Sequence, residues 1–185
     1  IVDGIVDLLD EHAPGGGAPV PSRLLRELVE EARAKGWKKA VTDIALRDRE
    51  FNGDYLLRPS RIDWFFRIMN QGRAHTCLDL GSGLGSVAFL LSTYFNEIWS
   101  VDSNFENLVF QGIRREQDNV SNVRLVRSNA LRCPFPDSYF DLVILNGVLE
   151  WTGLQSVCDN PRQLQLSMLL EVRRVLKENG VLYVG

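Results

Sequence analysis

The stretch Leu78-Asp79-Leu80-Gly81-Ser82-Gly83-Leu84-Gly85-Ser86 decides how this chain is read. An apolar run from Cys77 to Leu80 stops at three glycines on alternate positions. Val87, Leu90, Leu91 and Tyr94 then recur at i, i+3, i+4 and i+7, the spacing of one helix face. The pattern predicts a strand, a glycine turn and a helix. Glycine lets the turn take positive φ and leaves no Cβ in the way of a ligand. The helix start adds free backbone N–H groups. Such a turn brings a nucleotide-like ligand against bare backbone; without a ligand it is a tight strand–helix connection.

Two ligand classes compete for it. A dinucleotide fold wants G-x-G-x-x-G, with pyrophosphate on the helix N-terminus. Here Ser86 stands where that pattern has its third glycine, and Asp79 lies two residues before the first. An acid there suits a cationic ligand and repels a pyrophosphate. The pattern D-x-G-x-G-x-G resembles motif I of the class I S-adenosylmethionine-dependent methyltransferases, whose ligand carries a sulfonium and an α-amino group.

The segments that follow extend the resemblance. Glu97 to Asp102 reads as a second strand ending in a carboxylate, spaced as a Rossmann-like acid is for a ribose. Asp102 can equally cap the helix that begins near Asn104. A third strand, Val123 to Val126, leads into Ser128-Asn129-Ala130. The family often has G-D-A there, with the acid on the adenine amino group. Asn129 keeps an acceptor oxygen without the charge, or serves the turn. After the turn Cys133-Pro134-Phe135-Pro136-Asp137, Leu142 to Leu145 has no polar alternation, as in a central strand buried on both faces. Phe140-Asp141-Leu142-Val143 and Leu149-Glu150-Trp151 resemble the family's F-D-x-V and L-E-H, with Trp151 for the histidine. Asn160 and Pro161 suit a helix start; Leu164, Met168, Val172, Val175 and Leu176 follow at helical spacing. Lys177-Glu178-Asn179-Gly180 is expected to stop that helix before a fifth strand, Val181 to Val184.

The resemblance covers Thr76 to Gly185. It implies an α/β, Rossmann-like three-layer sandwich with a mostly parallel sheet, strand order 3-2-1-4-5. It implies S-adenosylmethionine as methyl donor. Asp79 goes to the cationic methionine end, and Gly81, Ser82, Gly83 and Gly85 to close approach. Asp102 and Ser103 go to the ribose side, Asn129 and Ala130 to the adenine edge, and Asn146 to the methyl-donor pocket. Asn146 and Glu150 are the expected catalytic residues, Asn146 to position the acceptor or donor amine and Glu150 as base. The implied reaction is methyl transfer to an oxygen or nitrogen of a small molecule or glycan. Two alternatives stay open: a non-catalytic methyltransferase-like binding or scaffold domain, and an NAD-type oxidoreductase.

Bulk properties set bounds. With 185 residues and 45% apolar side chains, the chain suits one globular domain with an extension. A net charge of −3 disfavours binding through nucleic-acid phosphates. Arg114, Arg115, Arg124 and Arg127 form at most a local basic patch, and more simply solvated helix and strand edges. Cys77, Cys133 and Cys158 give no disulfide framework, and His12 and His75 indicate no metal site. No apolar run of about 20 residues is present, nor a signal peptide, so a cytoplasmic location is expected, without membrane partners.

Residues 1–74 are expected to form a helical extension to a domain at 75–185. Ile1, Val2, Ile5, Val6, Leu8 and Leu9 suggest a short amphipathic helix, and Pro14 to Pro21 a linker. Leu24, Leu25, Leu28, Val29 and Ala32 mark a second helix ending at Gly36. Trp37, Ala40, Val41, Ile44 and Ala45 mark a third. Ser60 to Asp63 resembles a capping box before a helix burying Ile62, Phe65, Phe66 and Met69. These helices serve as core, lid or dimerisation arm, and Tyr55 or Arg58 is a candidate for the donor's carboxylate. A chain that opens on Ile1 is expected to be an excerpt. The family continues past its fifth strand with a helix and two strands, so further elements, another domain or a partner chain are expected to cover the Val181–Val184 edge.

Overall fold

The computed structural model describes residues 1, 3–9, 20–51, 53–68, 75–152 and 160–185. Most of the linker at 14–21, together with His12, Met69 and Cys158, lies outside the described residues.

Among the described residues six parallel strands form one sheet. They are β1 (Ile5–Asp7), β2 (Thr76–Leu80), β3 (Glu97–Asp102), β4 (Val123–Arg127), β5 (Phe140–Leu145) and β6 (Leu176–Val184), in the order β1-β4-β3-β2-β5-β6. From β2 onward this is the expected 3-2-1-4-5 arrangement, and β1 is an addition. Helices α1 (Ser22–Lys35), α2 (Trp37–Arg47), α3 (Phe65–Ile68), α4 (Ala88–Leu91), α5 (Phe105–Gln117) and α6 (Pro161–Val175) complete the α/β architecture. Leu142 to Leu145 are all buried, as a central strand requires. Cys77 and Cys133 are buried free thiols.

The sequence expectation fails at β1, which is a strand and not a helix. Its few residues cannot sustain an isolated helix, whereas the open edge of β4 offers backbone partners. Ile5 pairs with Leu125 and Asp7 with Arg127, and the Leu8 N–H donates to the Arg127 carbonyl at 2.8 Å. The Arg127 guanidinium also meets the Asp7 carboxylate at 3.1 Å.

A second correction concerns Lys177 to Gly180. β6 starts at Leu176, directly after α6, and these residues form an irregularity within the strand: Leu176 faces Phe140 whereas Val181 already faces Leu142. A Cβ on Gly180 would lie 2.8 Å from Leu176 and 3.0 Å from the Phe140 carbonyl oxygen. The glycine therefore serves close approach inside the sheet and does not end the helix.

The capping box at Ser60 does not form. Pro59–Ile62 is a 3-10 turn without a side-chain cap. The helical residues described after it are Phe65–Ile68, with Phe65 buried and Phe66 57% exposed. The helix after the glycine turn is short, four residues at Ala88–Leu91, and Tyr94 is exposed. By contrast, α1 and α2 lie where their apolar spacing puts them. They share a core with Leu84 and with Phe110 and Ile113 of α5.

Candidate functional site

The strand ends β2, β3, β4 and β5 converge on a cleft of about 360 Å³, within the range of small-ligand sites. Its wall includes Gly81, Ser82, Gly83, Asp102, Ser103, Asn129, Ala130 and Asn146. Eight of the expected site residues are thus brought together. Asp79, Gly85 and Glu150 do not line it.

The glycine turn is braced from three sides. The Gly81 and Ser82 N–H groups donate to the Val101 carbonyl at 2.8 and 3.0 Å. The Gly83 N–H donates to Asp102 Oδ2 at 2.7 Å. Gln111 of α5, fully buried, donates through Nε2 to Ser82 Oγ at 2.9 Å and to the Gly83 carbonyl at 2.7 Å. Its Oε1 accepts from Ser100 Oγ at 2.7 Å. Arg114, one turn on, donates to the Gly85 carbonyl at 3.0 Å. It lies between the Trp37 and Phe89 rings, 4.3 and 4.4 Å from their centroids. Burial pulls its guanidinium down to about 10, with Asp118 opposing the shift. Arg114 is therefore a buried brace, while Arg124 pairs with Glu97 and Arg127 with Asp7, so these arginines form no common basic patch. Sequence reading missed Gln111 and Arg114. The available signal was a polar stripe, Asn107, Gln111 and Arg114 at i, i+4 and i+7, on a helix face otherwise buried.

The glycines differ in what they do. All three have positive φ. A Cβ on Gly81 would lie 2.6 Å from Val148, and one on Gly85 2.8 Å from Phe89. A Cβ on Gly83 would meet nothing within 4 Å. Gly83 is the open floor of the cleft, whereas Gly81 and Gly85 let the turn pack.

Asp102 combines both expected placements. It lines the cleft, and its Oδ1 accepts from the Asn104 N–H at 2.8 Å and Asn107 Nδ2 at 3.3 Å at the start of α5. Burial raises its pKa, and the hydrogen bonds from Asn104, Gly83 and Asn107 oppose the shift. Oδ2 accepts from the Gly83 N–H, and a carboxylate oxygen has more than one acceptor position, which leaves room for a ligand hydroxyl. Asn129 Oδ1 accepts from the Leu131 N–H at 2.9 Å in an Asx turn, and its amide still faces the cleft. No described residue hydrogen-bonds the Asn146 side chain.

Asp79 is 3% exposed and accepts from the Ala88 N–H at 3.1 Å, the first residue of α4. Burial pushes its carboxyl up to about 7; the Ala88 N–H and the Arg61 charge oppose the shift, and Asp102 adds to it. An acid thus occupies the helix N-terminus that a dinucleotide's pyrophosphate would need. Glu150 is exposed, with Oε1 3.6 Å from the Cβ position of Gly147. Of the two residues considered for a carboxylate, Tyr55 lines the cleft and Arg58 does not; Arg61 does.

An open glycine floor, an acid one strand over that can accept from hydroxyls, and cleft-lining amides at the β4 and β5 ends fit an adenosyl ligand without phosphate. The chain matches the family described as "Methyltransferase domain" over residues 78–184, and it belongs to that family, as a class I S-adenosylmethionine-dependent member. It is 35% identical over 107 residues to the uncharacterized methyltransferase YcgJ of Bacillus subtilis, covering 57% of this chain and 38% of that protein. The YcgJ crystal structure superposes with a TM-score of 0.57 at 25% identity, over 69% of this chain and 50% of that one. The ubiquinone/menaquinone biosynthesis C-methyltransferase UbiE of Serratia proteamaculans is 34% identical over 117 residues, 60% of this chain and 42% of that protein. The chain therefore spans half or less of the length of these two relatives. Among the described residues no helix is long and apolar enough to cross a membrane.

Proposed function

We propose that the chain holds S-adenosylmethionine at the Gly81–Gly85 turn and directs its methyl group to a small-molecule acceptor entering beside the β5 end. The observation that carries the reading is the Gly83–Asp102 contact at 2.7 Å, which fixes an open backbone floor against a cleft-lining carboxylate. When bound, the donor supplies an activated methyl on a sulfonium with a neutral thioether as leaving group. The protein's task is then alignment and water exclusion.

In this reading Gly81, Ser82 and Gly83 receive the donor along the backbone, Asp102 and Ser103 take the ribose side, and Asn129 with Ala130 the adenine edge. Gly85 supports the turn from behind. Asp79 acts from beneath the turn on the cationic methionine end. Asn146, whose side chain no described residue hydrogen-bonds, positions the donor amine or the acceptor. Glu150, on the rim beside Gly147, is the residue to test as proton acceptor for an oxygen or nitrogen nucleophile. UbiE is named a C-methyltransferase of quinone biosynthesis; carbon, oxygen and nitrogen acceptors are therefore all to be tried. The N-terminal helices are read as an extension (1–74) that braces the donor domain through α5.

The test is transfer of a labelled methyl group from S-adenosylmethionine to a panel of hydroquinones, phenols and small amines. The expected result is turnover with at least one class, reduced in Glu150→Gln if the nucleophile must lose a proton. Tight donor binding with no transfer to any class would overturn the catalytic reading in favour of a binding domain.

A further inference from the structure

The N-terminal extension reaches the loops of the cleft at two places, each time through an arginine of the donor domain. At the first, Arg114 Nη1 donates to the Gly85 carbonyl at 3.0 Å. The group that orients it comes from α2: the Trp37 ring centre lies 4.3 Å from the guanidinium carbon, with the Phe89 ring of α4 at 4.4 Å. Trp37 Nε1 also donates to Asp118 Oδ1 at 3.0 Å, and Asp118 Oδ2 stands 3.7 Å from Arg114 Nε. That Nε is buried without a hydrogen-bond partner. The Gly85 carbonyl is therefore the acceptor that directs the fork, and Trp37 is the wall against which the fork lies.

At the second place, Arg127 Nε donates to the carbonyl of Ser103, a cleft residue, at 3.1 Å. Its Nη1 meets Asp7 Oδ2 at 3.1 Å, and its guanidinium carbon lies 5.8 Å from the Phe105 ring centre. Asp7 ends β1, the strand that the extension adds beside β4. The loops after β2 and after β3 are thus held alike. A guanidinium donates to a loop carbonyl, and a side chain from residues 1–74 fixes its direction. Both Asp7 and Arg127 are about a third exposed, and a pair so exposed contributes little to stability. What the pair does fix is the direction in which the Ser103 carbonyl is held.

We propose that Arg114 and Arg127 are positioning residues for the two donor loops, and that the N-terminal extension sets donor affinity through Trp37 and Asp7. The inference rests on the donor-binding reading of the cleft and gives the extension a role beyond packing. None of these side chains lines the cleft, so each acts through a backbone carbonyl or through the arginine that holds it. By linkage the effect is reciprocal: a donor that needs both loops in place strengthens the docking of α2 and β1.

The experiment compares wild type with Asp7→Ala, Trp37→Phe, Arg114→Met and Ile44→Val. It reads melting temperature, S-adenosylhomocysteine affinity by calorimetry and, in the ligand-free protein, hydrogen exchange of the segments Gly81–Ser86 and Asp102–Asn104. Asp7→Ala should weaken S-adenosylhomocysteine about threefold with the melting temperature nearly unchanged. Trp37→Phe, which keeps a ring beside Arg114 and loses the bond to Asp118, should also lose about threefold, and Arg114→Met about tenfold or more. Ile44→Val thins the extension's core at a fully buried position that belongs to neither contact. It should lower the melting temperature and leave affinity unchanged. Wild-type affinity in either Asp7→Ala or Trp37→Phe overturns the proposal, and so does an equal loss in Ile44→Val; these milder variants decide even where Arg114→Met fails to fold. If wild type binds no S-adenosylhomocysteine, the donor-binding reading fails instead, and exchange decides on the positioning. Faster exchange at Gly81–Ser86 in Trp37→Phe and at Asp102–Asn104 in Asp7→Ala supports it, and unchanged exchange in either variant overturns it.

Discussion

The loops after β2 and after β5 face each other across one cleft and differ in what they present to it. The loop after β2 is cross-braced: Val101, Asp102, Gln111 and Arg114 each take a hydrogen bond to its backbone or to Ser82. The loop after β5 closes a turn of its own, with the Trp151 and Thr152 N–H groups on the Val148 carbonyl, both at 3.1 Å, and is tied from outside at Gly147, whose N–H donates to the Gly185 carbonyl at 2.7 Å, and at Leu149, whose carbonyl accepts from Gln165 Nε2 at 2.8 Å. It presents Asn146, Val148, Trp151 and Thr152 to the cleft. The first offers the cleft an open glycine backbone, and the second offers it larger side chains. The proposed function accordingly sets the donor on the first and the acceptor beside the second.

Substitutions that separate the two loops sharpen the contrast. Gly81→Ala forces a Cβ against Val148 at positive φ, and should cost about 2–5 kcal/mol of stability from overpacking and left-handed strain. Gly83→Ala meets no neighbour and should cost only the strain, about 1–2 kcal/mol. Thermal melts of the pair, with Val148→Ala added to Gly81→Ala for partial rescue, check this; equal losses would show that the two glycines are equivalent.

Gln111→Ala comes next. It leaves Ser82, the Gly83 carbonyl and Ser100 without their shared partner, at about 1–3 kcal/mol. It should weaken S-adenosylhomocysteine binding, although Gln111 does not line the cleft. Retained affinity in a destabilised protein would mean that the bracing serves folding alone.

Asp79 offers a test through pH. Its pKa is raised by burial to about 7, so the protonated form favours the folded state. The stabilisation is complete below about pH 4 and is lost as pH rises through about 7. Asp102, also raised by burial, acts in the same direction. Asp79→Asn should therefore flatten the decline in melting temperature between pH 5 and 8, and be the more stable protein at pH 8. A parallel decline in both proteins would contradict the burial argument.

The smallest effect is expected across the cleft. Trp151 is partly exposed, and Trp151→Ala should change stability by about 0.5 kcal/mol or less, with S-adenosylhomocysteine affinity unchanged and only acceptor use altered. A large loss of donor affinity would merge the two loops into one functional unit.

Legibility in the sequence follows the same division. The glycine turn, Asp102 at a strand end and the buried run Leu142–Leu145 were readable because backbone geometry and burial restrict residue type there. The α1 and α2 stripes were readable for the same reason. β1 was not: its apolar residues carry no period over three positions, and only the β4 edge decides their state. Gly180 read as a helix stop because the local signal for a stop and for a close approach is identical. Arg61 was passed over for Arg58 because nothing in an irregular stretch fixes which of two arginines, three residues apart, turns inward. Gln111 and Arg114 needed the knowledge of which helix face meets the glycine turn.

The central claim is that the braced turn and Asp102 together form the seat of an adenosyl ligand. Its most direct test is a calorimetric titration of S-adenosylhomocysteine, beside NADH, into wild type and Asp102→Ala. The account predicts saturable one-to-one binding of S-adenosylhomocysteine to wild type, none of NADH, and a loss of about tenfold or more in the variant. Undiminished affinity in Asp102→Ala, or preference for NADH, would contradict it.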